Sequence, residues 1–147
     1  MLTILKEYKC GVKLLKVPYF SDERGVFCKF YNSNLFNKNK INFSPKEHFY
    51  SISKKNVLRG MHFQIEGASH TKLISCVSGV IIDVVVDIRK DSQYFNKPLS
   101  FKLSSESESA ILIPKGFAHG FLTISEKSIV QYLVSEPYVA NLDKGVR

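Results

Sequence analysis

The sequence predicts an all-β fold, an antiparallel sandwich or barrel, and three observations support this prediction. Short apolar runs recur at near-regular spacing, and polar or Gly/Pro-containing turns separate them. No segment sustains a helical apolar period over several turns, so no long helix is expected. The clearest run, residues 80–89, alternates strictly between an apolar face and a face that carries two aspartates.

The expected strands follow one another along most of the chain. Residues 12–17 alternate and stop at Pro18, and residues 20–27 form a strand, a polar turn and a second strand. A short helix is expected near Leu35 and Phe36. Further strands are predicted at residues 47–53, 57–64, 71–77, 80–89, 99–103, 110–113, 118–124 and 129–134, and an irregular tail begins at Glu136.

Residues 80–89 also raise a question of burial. We expect the face of Val80, Ile82, Val84, Val86 and Ile88 to pack, and the opposite face, with Ile81, Asp83, Val85, Asp87 and Arg89, to border a cavity or solvent. Buried carboxylates are costly without partners, so cationic or hydrogen-bonding groups should lie across from the two aspartates. Arg89 is a candidate partner for Asp87.

Length and charge narrow the class of protein. A chain of 147 residues predicts a single domain over residues 1–147. The net charge of +8 would attract polyanions such as nucleic acid, anionic lipid or a phosphorylated substrate. Because many of the lysines lie among Asn and Ser, as in residues 37–40 and 53–56, the pattern is typical of solvated loops, and no nucleic-acid partner is expected.

Cysteine usage and hydropathy predict the compartment. Cys10, Cys28 and Cys76 are odd in number and lack CxxC spacing, which favours a reducing cytoplasm over a disulfide framework or zinc site. The longest apolar stretch is short and contains two aspartates, and the N-terminus lacks signal-peptide features. We expect a soluble, cytoplasmic protein without a membrane partner.

The segment with the most chemistry is residues 57–64, which carry Arg59, His62 and Gln64. An imidazole can take a proton near neutral pH, and a guanidinium suits phosphate or carboxylate. From the residues alone, the pattern favours a hydrogen-bonded core histidine at His62 and a surface charge at Arg59. Alternation places His62 and Gln64 on one face and Arg59 on the other, so Arg59 must bulge, reach round or serve a neighbouring subunit.

An ordered set of motifs resembles the dTDP-4-dehydrorhamnose 3,5-epimerase family. The motifs are Asp22-Glu23-Arg24-Gly25, Leu58-Arg59-Gly60-Met61-His62-Phe63-Gln64, Lys72-Leu73, Gly79 with Asp83-Val84 and Asp87-Ile88-Arg89, and Ile113-Pro114-Lys115-Gly116-Phe117-Ala118-His119-Gly120-Phe121. The resemblance implies a cupin-type jelly roll, a homodimer, and a nucleotide-linked 4-keto-6-deoxy sugar as substrate in deoxysugar biosynthesis. It implies no metal and no cofactor.

The resemblance also implies roles for individual residues. His62 would be the catalytic base, Tyr132 the acid on the opposite face of the sugar, and Lys72 the cation near the developing oxyanion. Arg24 and Arg59 would bind the pyrophosphate, Tyr138 would flank the sugar, and Gln64 would contact the substrate. His119 belongs to the same set, and the facing of the strands predicts that Asp83 fixes its tautomer.

Some positions depart from the family. Its members pair the base histidine with an aspartate further along the chain than Arg147, and Glu47 and Asp143 are the unranked candidates to replace it. The family has Glu, Gln and Asn where this chain has Lys29, Glu47 and Phe49, which leaves dTDP, CDP or GDP open. Inversion at C3, at C5 or at both is equally open.

Two alternatives remain. One is a non-catalytic homologue that binds a sugar nucleotide. The other is a metal-dependent cupin, because residues 114–119 resemble the second cupin motif. The metal alternative lacks a histidine at Gln64 and so has too few ligands for a typical site.

Overall fold

The computed structural model of the protein describes residues 1–146, whose regular secondary structure is almost entirely antiparallel strands. One six-residue α-helix, α1 at Ser33–Lys38, begins where the Asn32 side chain accepts a hydrogen bond from the Leu35 amide, and a three-residue 3-10 helix lies at Ala140–Leu142. The strands are β1 (Thr3–Glu7), β2 (Lys13–Lys16), β3 (Tyr19–Asp22), β4 (Gly25–Cys28), β5 (Glu47–Lys54), β6 (Leu58–Gln64), β7 (Lys72–Ser78), β8 (Val80–Asp87), β9 (Pro98–Ser104), β10 (Ser109–Ile113), β11 (Phe117–Thr123), β12 (Lys127–Val134) and β13 (Asp143–Gly145).

The strands form two sheets and a hairpin. The order in the first sheet is β1-β2-β10-β7-β12-β5 and in the second β13-β6-β11-β8-β9, while β3 and β4 pair only with each other. A shared apolar core joins the inner faces of the sheets, with Ile74 and Val130 from the first and Val85 and Phe121 from the second. The predicted antiparallel sandwich is therefore confirmed.

A second apolar cluster covers the outer face of the six-stranded sheet. Phe36 of α1 packs there with Phe43, against Leu15 and Leu73. The helix predicted near Leu35 and Phe36 is confirmed, and burial of its one fully enclosed side chain explains why so short a helix persists.

Strand β8 has the alternation that the sequence predicts but the opposite orientation. Ile81, Asp83, Val85 and Asp87 are buried inside the sandwich, and the wholly apolar face of Val80, Ile82, Val84 and Val86 is only partly buried. The prediction that the apolar face packs was wrong. Partners account for the difference, because His119 meets Asp83 and a bidentate Arg89 meets Asp87, so both carboxylates can be enclosed.

Strand β6 contains an irregularity that decides the geometry of the site. His119 of β11 lies opposite His62, and Phe121 lies opposite Arg59. Between these two pairs β6 therefore has two residues where β11 has one. Gly60 occupies this bulge with φ of +123°, and a Cβ there would lie 2.5 Å from the Gly120 Cα. Of the three routes open to Arg59, the structure shows the bulge.

The termini of the described chain hold two strands that the sequence does not predict. β1 is at one edge of the six-stranded sheet, and β13 is at one edge of the five-stranded sheet, within the expected irregular tail. β13 has three residues, too few to show alternation. The helix of residues 33–38 is far too short to cross a bilayer, and residues 1–146 contain no helix that could do so.

Candidate active site

A cavity of about 610 Å³ opens between the two sheets and collects most of the predicted site residues. The β6 bulge places Arg59 and His62 together on its wall. Its lining also includes Gln64, Lys72, His119, Tyr132 and Tyr138, together with Phe49, Ser51, Leu58, Gly60, His70, Phe121, Val134 and Asp143. A concave, largely apolar site with a few converging polar groups is the usual form of a small-molecule site.

His62 lies at the accessible side of this cavity, and Asp143 is beside it. The His62 Nδ1 is 3.6 Å from the Asp143 Oδ2, and the imidazole side chain is 58% exposed. Gln64 holds the carboxylate, since its Nε2 donates to the Asp143 Oδ1 at 2.9 Å and its Oε1 accepts from the Val139 amide at 3.1 Å. With Nδ1 facing a carboxylate, Nε2 of His62 is the atom available for proton transfer.

This arrangement separates the two carboxylates that the sequence left unranked. Asp143 lies beside His62, whereas Glu47 accepts a hydrogen bond from the Tyr138 amide at 2.7 Å. Gln64 is predicted to contact substrate, but in the structure both ends of its amide contact the protein. Any contact of Gln64 with substrate stays a prediction.

Lys72 projects into the same cavity from the start of β7. Its Nζ lies 3.5 Å from the His62 carbonyl oxygen. Burial lowers the pKa of Lys72 to about 8, and the charges of Asp143 and Asp83 oppose that effect in part. The ammonium group is therefore close to its titration range at physiological pH while still being mostly charged.

Tyr132 lies on β12 and is buried, 8% exposed. Its ring stacks on Phe49 at 4.8 Å between centroids and meets His119 edge-on at 6.1 Å. Burial raises the pKa of Tyr132 well above its ordinary value. The phenol therefore stays protonated across the working pH range, as a proton donor must.

His119 and Asp83 form an enclosed pair beneath the cavity. His119 Nε2 donates to the Asp83 Oδ2 at 2.7 Å, and the two side chains are 5% and 0% exposed. Burial raises the pKa of Asp83, and the neighbouring His119 and Lys72 act in the opposite direction. The contact predicted between these residues is confirmed, and the fixing of the His119 tautomer by Asp83 stays a prediction.

The two arginines end in different places. Arg59 lines the cavity, where its Nε donates to the Ser53 Oγ at 2.9 Å and leaves much of the guanidinium accessible. Arg24 is at the exposed tip of the β3–β4 hairpin and pairs with Asp22 at 2.6 Å, outside the cavity of its own chain. The structure therefore does not bring Arg24 to Arg59 within one chain.

Two titratable side chains that line the cavity, Asp143 and His70, were absent from the predicted site. Asp143 was named only as a substitute, because the strand that carries it is too short to recognise from sequence. His70 was not singled out, although its position two residues before Lys72 placed it on the same side of an extended segment. Residues 1–146 contain no group of three or more His, Cys, Asp or Glu side chains that could hold a metal ion.

Comparisons with known proteins agree with one another. A family model described as dTDP-4-dehydrorhamnose 3,5-epimerase matches residues 9–147. A relative of that name from Salmonella typhimurium is 40% identical over 141 residues, covering 94% of this chain and 76% of the relative. The chain is thus similar to that enzyme over nearly its whole length.

Solved structures give the same result. The crystal structure of dTDP-4-dehydrorhamnose 3,5-epimerase from Bacillus anthracis, with TDP and PPi bound, has a TM-score of 0.94 and 37% identity, covering 99% of this chain and 84% of that one. A dTDP-6-deoxy-D-glucose-3,5-epimerase from Legionella pneumophila, in complex with dTDP-4-keto-L-rhamnose, has a TM-score of 0.92 and 29% identity, with 100% and 78% coverage. The expected cupin-type jelly roll is therefore confirmed through its likeness to these epimerases.

Proposed function

The chain belongs to the dTDP-4-dehydrorhamnose 3,5-epimerase family, and we propose that it is the isomerase that inverts C3, C5 or both of a dTDP-linked 4-keto-6-deoxy sugar in deoxysugar biosynthesis. One observation carries the proposal for this chain: His62, Lys72 and Tyr132 line one cavity. A base, a cation and a protonated acid in one enclosed space are what an inversion next to a ketone requires.

The proposed first step is proton removal. The C–H bond next to the 4-keto group breaks, its proton moves to the His62 Nε2, and its electron pair shifts to the carbonyl oxygen to form an enolate. The Lys72 ammonium stabilises that oxyanion, and a preorganised cation acts more strongly where burial of the group limits screening by solvent. Asp143 orients the imidazole and stabilises the imidazolium that forms.

The proposed second step is reprotonation from the opposite face. Tyr132 delivers its hydroxyl proton to the carbanion carbon while the electron pair of the enolate forms the new C–H bond. The carbonyl returns and the configuration at carbon is inverted. The phenolate and the imidazolium then exchange protons with solvent, which restores both groups. Because burial keeps Tyr132 protonated, the phenol is ready for every turnover.

Substrate recognition rests on the remaining residues. We assign the pyrophosphate to Arg59, whose guanidinium lies on the cavity wall, and the sugar to Tyr138 and His119. Asp83 acts through His119 rather than on the substrate. Arg24 lies on a projecting hairpin, so its proposed role at the pyrophosphate requires the cavity of a second subunit.

That requirement agrees with a homodimer of this single-domain chain, 1–147. Apolar side chains on the edge strand β5 and on the hairpin are exposed, among them Tyr50, Ile52, Phe20 and Phe27. A monomer mass by sedimentation equilibrium at micromolar protein would contradict the dimer.

Three free cysteines support a reducing compartment, and we propose the cytoplasm.

The function is tested by hydrogen exchange. The protein is incubated in heavy water with the dTDP, CDP and GDP forms of a 4-keto-6-deoxy sugar, and the C3 and C5 proton signals are followed by NMR. We expect loss of the C3 signal, the C5 signal or both with the dTDP form. His62→Ala should abolish exchange, whereas Tyr132→Phe should block inversion and retain some exchange, because proton removal needs only the base.

Lys90→Ala is the control, since Lys90 is an exposed residue beyond the end of β8 and outside the cavity lining. It should exchange at the wild-type rate. Tight binding of a sugar nucleotide without exchange at either carbon would refute the epimerase and leave a non-catalytic binding protein. Exchange that His62→Ala retains in full would refute the proposed base.

A further inference from the structure

A buried histidine on the cavity wall has no part in the mechanism described above. His70 is 9% exposed and lies two residues before Lys72, and both side chains line the cavity. Its position is therefore next to the cation assigned to the carbonyl oxygen of the sugar. Removing a polar side chain from water costs free energy, so its polar atoms are expected to have hydrogen-bond partners.

The hydrogen bond inside the protein fixes which nitrogen of His70 carries the proton. The His70 Nδ1 lies 3.0 Å from the Ala68 carbonyl oxygen. A carbonyl oxygen can only accept, so Nδ1 is the donor. In a neutral imidazole Nε2 is then a lone-pair acceptor.

The imidazole is neutral at working pH. Burial, reinforced by the positive charge of Lys72, lowers the pKa of His70 to about 4, and the Ala68 carbonyl, Glu47 and Asp143 offset this only in part. Nε2 therefore remains an acceptor throughout the physiological range.

The acceptor nitrogen is unused and accessible. The hydrogen bond of His70 within residues 1–146 is the one made by Nδ1. In residues 1–146, two side-chain polar atoms are inaccessible to solvent and lack a hydrogen-bond partner, namely Ser51 Oγ and Asp83 Oδ1. His70 Nε2 also lacks a partner but is not one of these two atoms, so it is accessible to solvent. Since His70 is buried except where it lines the cavity, we infer that the open side of Nε2 faces the cavity.

We propose that His70 determines substrate specificity, with Nε2 accepting a hydrogen bond from a hydroxyl group of the bound sugar. The proposal rests on the proposed function, because it takes the cavity as the site of the sugar. An acceptor with no proton repels carbonyl and phosphate oxygens, so of the polar groups on such a sugar ring only a hydroxyl fits. A site built to pair a hydroxyl discriminates against analogues that lack it.

The test is a binding cycle on non-reacting ligands, measured by calorimetry. The ligands are dTDP, dTDP-glucose, and its 2-deoxy and 3-deoxy analogues, and the proteins are wild type, His70→Phe and His70→Gln. We expect His70→Phe to bind dTDP-glucose about tenfold more weakly, as for one lost hydrogen bond, and to bind dTDP normally. His70→Gln, whose amide oxygen can accept, should recover most of the loss.

The deoxy analogues identify the hydroxyl. Wild type should bind one of them about tenfold more weakly than dTDP-glucose, and His70→Phe should lose this discrimination. The inference is overturned if His70→Phe keeps the discrimination, if dTDP binding falls equally, or if neither variant differs from wild type. If wild type binds no sugar nucleotide, the proposed function fails together with the inference, whereas any of the other contrary results leaves the proposed function standing.

Discussion

Two imidazole–carboxylate pairs lie side by side in the five-stranded sheet, and they differ in the distance between the two groups and in their exposure to solvent. His62 and His119 are directly opposite each other on β6 and β11. The His119–Asp83 pair is closed at 2.7 Å, with side chains 5% and 0% exposed. The His62–Asp143 pair is open at 3.6 Å, with side chains 58% and 28% exposed.

The difference follows from where each strand lies. β11 is flanked by β6 and β8, so His119 is surrounded by the sheet, and Asp83 reaches it from β8. His62 is next to a bulge, and its partner comes from the three-residue edge strand β13. An imidazole–carboxylate pair that is enclosed can stabilise the fold, whereas one that is exposed and loosely held can exchange a proton with a ligand.

The largest expected effect is on the closed pair. Asp83→Ala leaves His119 without its acceptor inside the sandwich and should lower the free energy of unfolding by about 3–5 kcal/mol, measured by urea denaturation. Asp83→Asn keeps an oxygen that can accept and should be much less damaging. Asp91→Ala, at an exposed carboxylate, is the control and should change little. A loss below about 1 kcal/mol for Asp83→Ala would show that enclosure does not make this pair structural.

The open pair should respond in activity instead of stability. Asp143→Asn removes the charge that orients and supports the His62 imidazole, and kcat should fall about 10²-fold with little change in KM, because the base is misplaced while the cavity is intact. Steady-state epimerisation kinetics measure this. Asp143→Glu should recover part of kcat. Equal losses in the free energy of unfolding for Asp143→Asn and Asp83→Ala would remove the distinction between the pairs.

The smallest expected effect is on the pH dependence of activity. Lys72 lies near both pairs, and the carboxylates Asp143 and Asp83 both raise its pKa. Since its pKa is about 8, Lys72 is charged below that pH and neutral above it. The pH profile of kcat/KM should therefore fall by about tenfold per pH unit above this value, as the oxyanion loses its cation. Lys72→Arg, which stays charged, should lack this alkaline limb.

The pH profile of kcat/KM also tests whether Asp143 and Lys72 interact electrostatically. Asp143→Asn removes a negative neighbour of Lys72, which should lower the lysine pKa and move the alkaline limb to lower pH. An unmoved limb in that variant would show that Asp143 and Lys72 are not electrostatically coupled.

Most of the strands and much of the chemistry could be predicted from the sequence alone. Period-two alternation and turn residues predicted the sandwich, since each strand has to bury one face. The ordered motifs predicted the family, and strand facing predicted the contact of Asp83 with His119. These features depend on local sequence, or on pairs of long strands whose apolar–polar alternation can be recognised in the sequence.

The orientation of β8, the bulge in β6 and the carboxylate beside His62 required the tertiary structure, because each depends on residues of a neighbouring strand. The inner face of β8 was misjudged although Arg89 and His119 were expected as partners, because the sequence does not show that these pairs allow both carboxylates to be fully enclosed. The bulge at Gly60 depends on the close approach of Gly120, and it brings Arg59 to the side of His62. The choice of Asp143 over Glu47 depends on three residues of edge pairing, too few to leave a pattern in the sequence.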